Sequence, residues 1–338
     1  MKHAGVSHEA ARDFTSETKE TKNRKIQRER TEITECEAKI SVSSVTSCSN
    51  PEKTTTMKTT CKKHILAAAL VGTLALTNAH AKDYSSEELK NRTVERRAVD
   101  AVIWGAPAVT LDMMRQAYFR DAKASYNDIV WWPKGAGWQN QSLDVNSIVR
   151  YLYVFSNTKN DGPVVLDLPA AVGGAKLLGT IMDSWQVPLT DIGVGGKGGK
   201  YLILTPDYTG DLPADYIPLR FKTYNSYMLI RSIVAGSSEA DVRAGDALVK
   251  QIKIYPLSKA GNPPEQRFVD MTDKLYDAVV PYDDRFYVSL ARVINEEPVN
   301  SRDLQMLGML LPLGIEKGKA FKPDAATVAQ LKTAAAEA

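Results

Sequence analysis

Residues 82–338 contain no histidine and no cysteine. All four histidines (His3, His8, His64, His80) and all three cysteines (Cys36, Cys48, Cys61) come earlier. The later residues therefore lack the imidazole of a Ser-His-Asp triad and any thiol nucleophile. Zinc and copper sites draw on the same side chains, so no metal of that kind and no cofactor is expected. Disulfides are excluded as well; a body of about 250 residues buries enough core to fold without them. What remains is carboxylate, tyrosine or lysine chemistry, or a hard cation on oxygen ligands.

A basic excess is also missing. The chain has 43 Lys+Arg and 40 Asp+Glu, but residues 1–81 hold 13 and 9 of them. The rest of the chain is left at −1, with nothing to neutralise phosphates, so nucleic acid is not an expected partner. The apolar stretch Ile65–Leu76 has 12 residues, short of the ~20 that span a bilayer.

That stretch fits a different pattern. Lys58, Lys62 and Lys63 precede it, and Ala79-His80-Ala81 places small residues before Lys82. This is a secretory signal peptide over 57–81, giving a periplasmic or secreted protein with no span after cleavage. Residues 1–56 are polar and charged, read as disordered, and expected to lie upstream of a true start at Met57.

In 82–236, Ser85-Ser86-Glu87-Glu88 reads as a capping box before a helix with Val99, Val102, Ile103 and Ala106. Pro107 suits the first turn of a second helix with Met113, Met114, Ala117 and Tyr118, making a helical hairpin. Strands follow at Ile148–Phe155, Pro163–Leu168, Leu177–Trp185, Tyr201–Thr205, Tyr216–Phe221 and Tyr227–Val234. Close spacing without intervening helices argues an antiparallel sandwich. Residues 237–338 read as a helical domain: Glu239–Lys250 capped by Ser238, a short strand Ile252–Tyr255, then helices at Asp270–Val279, Asp283–Asn295, Ser301–Leu311 and Asp324–Glu337. Asp283-Asp284-Arg285 and Asn295-Glu296-Glu297 read as caps and solvated helix ends.

Gly193-Val194-Gly195-Gly196-Lys197-Gly198 matches a dinucleotide-binding fingerprint. The residues after it, Lys200 to Leu204, read as a strand where that function needs a helix, so a glycine-rich connection is expected. Ser156-Asn157-Thr158-Lys159 matches S-x-x-K, but it sits in a turn and lacks the supporting Lys-Thr-Gly. Candidate carboxylates are Asp144, Asp167, Asp183 and Asp191, each as readily a turn or cap residue.

Four of the five tryptophans, Trp131, Trp132, Trp138 and Trp185, fall within 131–185, beside Gln139, Asn140, Gln141, Asn146 and Gln186. Indoles next to amides suit a neutral polar ligand; packing of the sandwich against the helices is the competing reading. The candidate ligand site is Trp138, Gln139, Asn140, Asp144, Asp183, Trp185, Gln186 and Asp191.

The runs Trp138–Leu143, Asn157–Lys159, Gly162–Leu166, Ile181–Leu189, Gly198–Leu204 and Ile254–Leu257 resemble the bacterial family called domain of unknown function 1254, from about Tyr84 to Asp324. The resemblance implies an α+β fold: an immunoglobulin-like antiparallel β-sandwich, then a helical domain, in an exported protein. It also implies a following jelly-roll (domain of unknown function 1214). The chain stops where that would begin, so truncation, or a jelly-roll supplied as a separate partner, is expected. The Asp-Thr pair that many members carry is missing at Asn146–Tyr151. No catalytic residues carry over. Three functional readings follow: an exported binding or structural module for a small ligand or partner; a hydrolase using Asp144, Asp183 or Asp191, with Ca²⁺ or Mg²⁺; a truncated remnant without activity.

Overall fold

The computed structural model describes residues 83–142 and 149–338. Residues 1–56, the leader at 57–81 and candidates Asp144 and Asn146 lie outside the described residues. The first element, α1 (Ser86–Arg120), starts at the expected capping box. Ser85 Oγ accepts from the Glu88 N–H at 3.2 Å, and the Glu88 carboxylate accepts from the Ser85 N–H at 2.8 Å.

The expected hairpin is absent. α1 is one helix of 35 residues that runs through Pro107, about 50 Å long. Proline removes the N–H that would reach the Ile103 carbonyl, at a cost of about 3 kcal/mol in a helix interior. Two circumstances offset it. Ile103 is exposed, so water can satisfy its carbonyl. Both halves are also buried against different partners: Val94, Ala98 and Val102 against other helices, Leu111, Met114 and Tyr118 against a sheet.

The strands are β1 (Ile129–Trp131), β2 (Asn140–Gln141), β3 (Arg150–Asn157), β4 (Val164–Leu168), β5 (Lys176–Asp183) and β6 (Pro188–Ile192), with one helical turn, α2 (Thr158–Asp161), after β3. They continue as β7 (Gly199–Leu204), β8 (Ile217–Arg220) and β9 (Asn225–Ile233). After α3 (Glu239–Val249) come β10 (Lys253–Pro256), β11 (Phe268–Asp270) and β12 (Tyr276–Asp277). The helices α4 (Asp284–Glu296), α5 (Leu304–Leu310) and α6 (Ala325–Glu337) close the chain.

One sheet has the order β11-β1-β3-β9-β5-β6, a second β10-β4-β7-β8, and β12 pairs with β2. The centre β3-β9-β5 is antiparallel throughout. Alternation sets the two faces. Leu152, Val154, Met228 and Ile230 pack with Val164, Leu166 and Ile203 of the second sheet. Tyr153, Phe155 and Tyr227 pack with α1. The pairing is not antiparallel everywhere: β1–β11, β7–β8 and β2–β12 are parallel.

Residues 237–338 are less purely helical than the periodicity suggests. β10 pairs with β4, and β11 with β1. The helix expected at 270–279 is instead the end of β11, a turn and β12. Asp270 accepts from the Thr272 N–H at 2.8 Å, Asp273 takes φ 58°, and the Met271 N–H goes to the Trp131 carbonyl. That local side-chain bond competes with helix formation. Ser238 and Asp241 cap α3 as a box, and Leu248 and Val249 enter the core between the sheets. α4, α5 and α6 bury Phe286, Leu290, Leu310 and Leu331 against the first half of α1. The result is a mixed α+β fold, and residues 83–338 form one compact unit.

Candidate functional site

At one end of the two sheets, a set of buried charges joins α1, β9 and α4. Arg115, on the sheet-facing side of α1, lies at its centre. One of its terminal nitrogens reaches Asp112 at 2.7 Å and Glu296 at 2.6 Å. The other donates to the Tyr126 hydroxyl at 2.9 Å and to Asn225 Oδ1 at 3.1 Å. Arg292 closes on the second oxygen of Asp112. Burial works against the Arg115 charge, but Tyr126, Asp112 and Glu296 outweigh it and raise its pKa.

Among the described residues, no cation pairs with the Glu297 carboxylate. It accepts from Ser184 Oγ at 2.5 Å, from the Tyr224 N–H at 2.6 Å, and from Asn225 through its N–H at 3.1 Å and Nδ2 at 2.7 Å. Burial pushes its pKa up, while those hydrogen bonds pull the other way. Asn225 is satisfied on both sides, since Asn157 also donates to its Oδ1 at 2.8 Å. Ala108, Asp112, Arg115, Ser184, Asn225, Glu296 and Glu297 line a cavity of about 20 Å³ here. That holds about one water and no organic substrate.

None of these residues was among the candidate site residues read from the sequence. Asp112 and Arg115 sit inside an apolar helix at i, i+3, the one visible sign that something buried needs them. Glu296 and Glu297 read as a solvated helix end, yet Glu297 is buried and Glu296 pairs with a buried arginine. Asp283 does cap α4, as expected.

The residues expected to form one ligand surface lie in three places. Trp138 and Gln139 end the glycine-containing loop before β2. The Asn140 N–H returns to the Gly137 carbonyl, and the Gln139 carbonyl accepts from Tyr276. Asn140 is buried, with Nδ2 3.3 Å from the Tyr153 hydroxyl. Asp183, Trp185 and Gln186 form the turn between β5 and β6. Asp183 Oδ1 accepts from the N–H groups of Trp185 and Val187 at 2.8 and 3.0 Å, a turn-capping role. Trp185 packs on Trp104 with ring centres 5.7 Å apart, and Gln186 donates to the Pro107 carbonyl at 2.7 Å. Asp191, on edge strand β6, accepts from its cross-strand neighbour Thr180 at 2.7 Å. Asp167 is a cross-strand neighbour of both Lys200 and Lys253. Trp131 and Trp132 are core residues, and Trp138 is 73% exposed.

Gly193–Gly198 leads into strand β7, not into a helix. No group of three or more His, Cys, Asp or Glu fit to hold a metal occurs among the described residues. No helix among them is long and apolar enough to cross a membrane.

Comparison with known structures and families bears on the fold. A crystal structure of the VPA0106 protein from Vibrio parahaemolyticus is similar at 17% identity and a TM-score of 0.52. The likeness covers 72% of this chain and 57% of that one, so this chain spans little more than half its length. It shows a shared fold and nothing about activity. An uncharacterized protein from Burkholderia cenocepacia aligns over 52% of this chain and 51% of that one, at 12% identity and a TM-score of 0.25, too low to indicate a shared fold. No curated protein matches the chain. The family model described as Protein of unknown function (DUF1254) matches residues 126–256, so over that stretch the chain is similar to this family.

Proposed function

We propose that this chain is an exported, non-catalytic module that offers Trp138 and Gln139 to a small polar or aromatic ligand. One observation carries the reading. Trp138 is 73% exposed, while Trp131 and Trp132 are buried and Trp104 and Trp185 pack on each other. An indole held in water by an anchored loop is a stacking surface without a partner. The anchor is the short β2–β12 pairing, with Tyr276 opposite Asn140. Export rests on the leader pattern at 57–81. We also read the two-sheet layout as immunoglobulin-like, on the support of the antiparallel centre β3-β9-β5.

The hydrolase reading needs a carboxylate with a free approach. Asp183 spends an oxygen on two backbone N–H groups, and the deepest charged cluster encloses room for about one water. Tryptophan fluorescence titration against sugar, phenolic and lipid libraries tests the binding reading. A saturable response that Trp138→Ala abolishes is the expected result. Silence toward every library would discard it.

A further inference from the structure

The opposite end of the two sheets has an unusual chemistry. Two connections cross there from one sheet to the other: residues 169–175 from β4 to β5, and 193–198 from β6 to β7. Across residues 169–175 and 193–199 the sequence reads PAAVGGA and GVGGKGG, and Lys197 is the one residue with a polar side chain. Loops in water ordinarily carry Asp, Asn, Ser and Thr. These two are not buried. Ala170, Ala171, Gly173, Gly174 and Gly195 are exposed, and Val172 and Val194 stand 64% and 58% exposed at the tips.

The loops are held to each other by backbone. The Ala171 N–H donates to the Gly196 carbonyl at 2.8 Å. A Cβ on Gly198 would lie 2.5 Å from the Leu168 carbonyl, and one on Gly193 1.9 Å from that of Leu177. Glycine is thus needed for the close approach, and the tip is a built surface, not slack chain. Lys176, Lys197 and Lys200 flank it, all exposed. Lys176 and Lys197 form no ion pair with a described residue. Among the acids of adjoining segments, Asp241 caps α3, Glu239 pairs with Arg243 at 3.1 Å and Asp191 accepts from Thr180. Asp167 faces Lys200 across the strands.

We propose that this tip is a docking surface for an anionic lipid bilayer, with Val172 and Val194 entering the interface and Lys176 and Lys197 over the headgroups. An exposed aliphatic tip with lysines in and beside it suits an anionic bilayer surface. Its composition argues against a protein partner: interface cores favour Trp, Tyr, Met and Arg, whereas Lys and Ala are depleted in them. The inference does not depend on the Trp138 reading, whose residues lie on another loop.

Co-sedimentation of the 83–338 unit with vesicles tests it; that unit is compact and carries its own cores, and it omits the apolar leader. Binding is expected to phosphatidylglycerol-containing vesicles, absent with pure phosphatidylcholine, and weakened by salt. Lys176→Gln and Lys197→Gln should each reduce it about fivefold. Val172→Ser with Val194→Ser should reduce it further, and Trp138→Ala should leave it unchanged. Circular dichroism establishes that each variant is folded. No binding to the anionic vesicles, or equal binding by folded tip variants, would overturn the proposal.

Discussion

The two ends of the paired sheets meet water in opposite ways. At one end Asn157, the last residue of β3, Ser184, just after β5, and Asn225, the first of β9, come together, and Glu297 at the end of α4 seals them. Every polar group named there has a partner from another element. At the other end the chain turns on glycine, alanine and valine, and only backbone joins the two loops. The first end is held by charges whose partners must all be present. The second is held by the absence of side chains. Buried charge is unforgiving of a missing partner, whereas a glycine contact is unforgiving of an added atom.

The largest effect is expected at the charged end. Arg115→Met leaves Asp112 and Glu296 without their shared cation. The cost should be about 3–5 kcal/mol, or roughly 10 °C in a thermal melt of a domain this size. A variant that melts with the parent would mean the cluster contributes nothing to holding the end shut.

The glycine end should answer to position, not to composition. Gly193→Ala forces a Cβ to 1.9 Å from a carbonyl oxygen at φ 72° and should cost about 2–4 kcal/mol. Gly195→Ala, at φ 66° but with open space around it, should cost only the left-handed penalty of roughly 1–2 kcal/mol. Equal losses in urea denaturation would show that backbone strain, and not close approach, governs this end.

A pH comparison sharpens the contrast. The folded pKa of Glu297 lies above its ordinary 4.5, chiefly through burial. The folded state therefore favours the protonated form. Its stabilising contribution is full below 4.5 and is lost as pH rises through the raised value. Relative to Glu297→Gln, the parent should lose stability across that rise. A stability difference that stays flat across it would place the carboxyl in a more polar setting. The smallest effect is expected at Trp138→Ala, within about 0.5 kcal/mol in stability because the indole is exposed.

Much of the local structure was legible in the residues. The capping box at Ser85, the cap at Ser238, the strands around Tyr153, Ile181 and Tyr227, and the glycine run leading into a strand all follow from short-range chemistry. Pro107 misled because its helical cost is a local quantity, while its compensation comes from two separate packing surfaces. The stretch 270–279 misled because strand β11 depends on β1, which is far from it in the chain. The tryptophan cluster was close in sequence and dispersed in space, since adjacent strand residues point to opposite faces. Trp131 and Trp132 show this, entering different cores.

The sequence by itself determined which chemistries residues 82–338 lack, where most elements begin, and that the glycine run is a connection. Those depend on residue identity and on neighbours within a few positions. Only the tertiary structure decided that Arg115, Asn225 and Glu297 meet, and that two loops with Lys197 as their one polar side chain share one tip. Such meetings join segments well separated in the chain, up to the 110 residues between Arg115 and Asn225, and no local pattern encodes them.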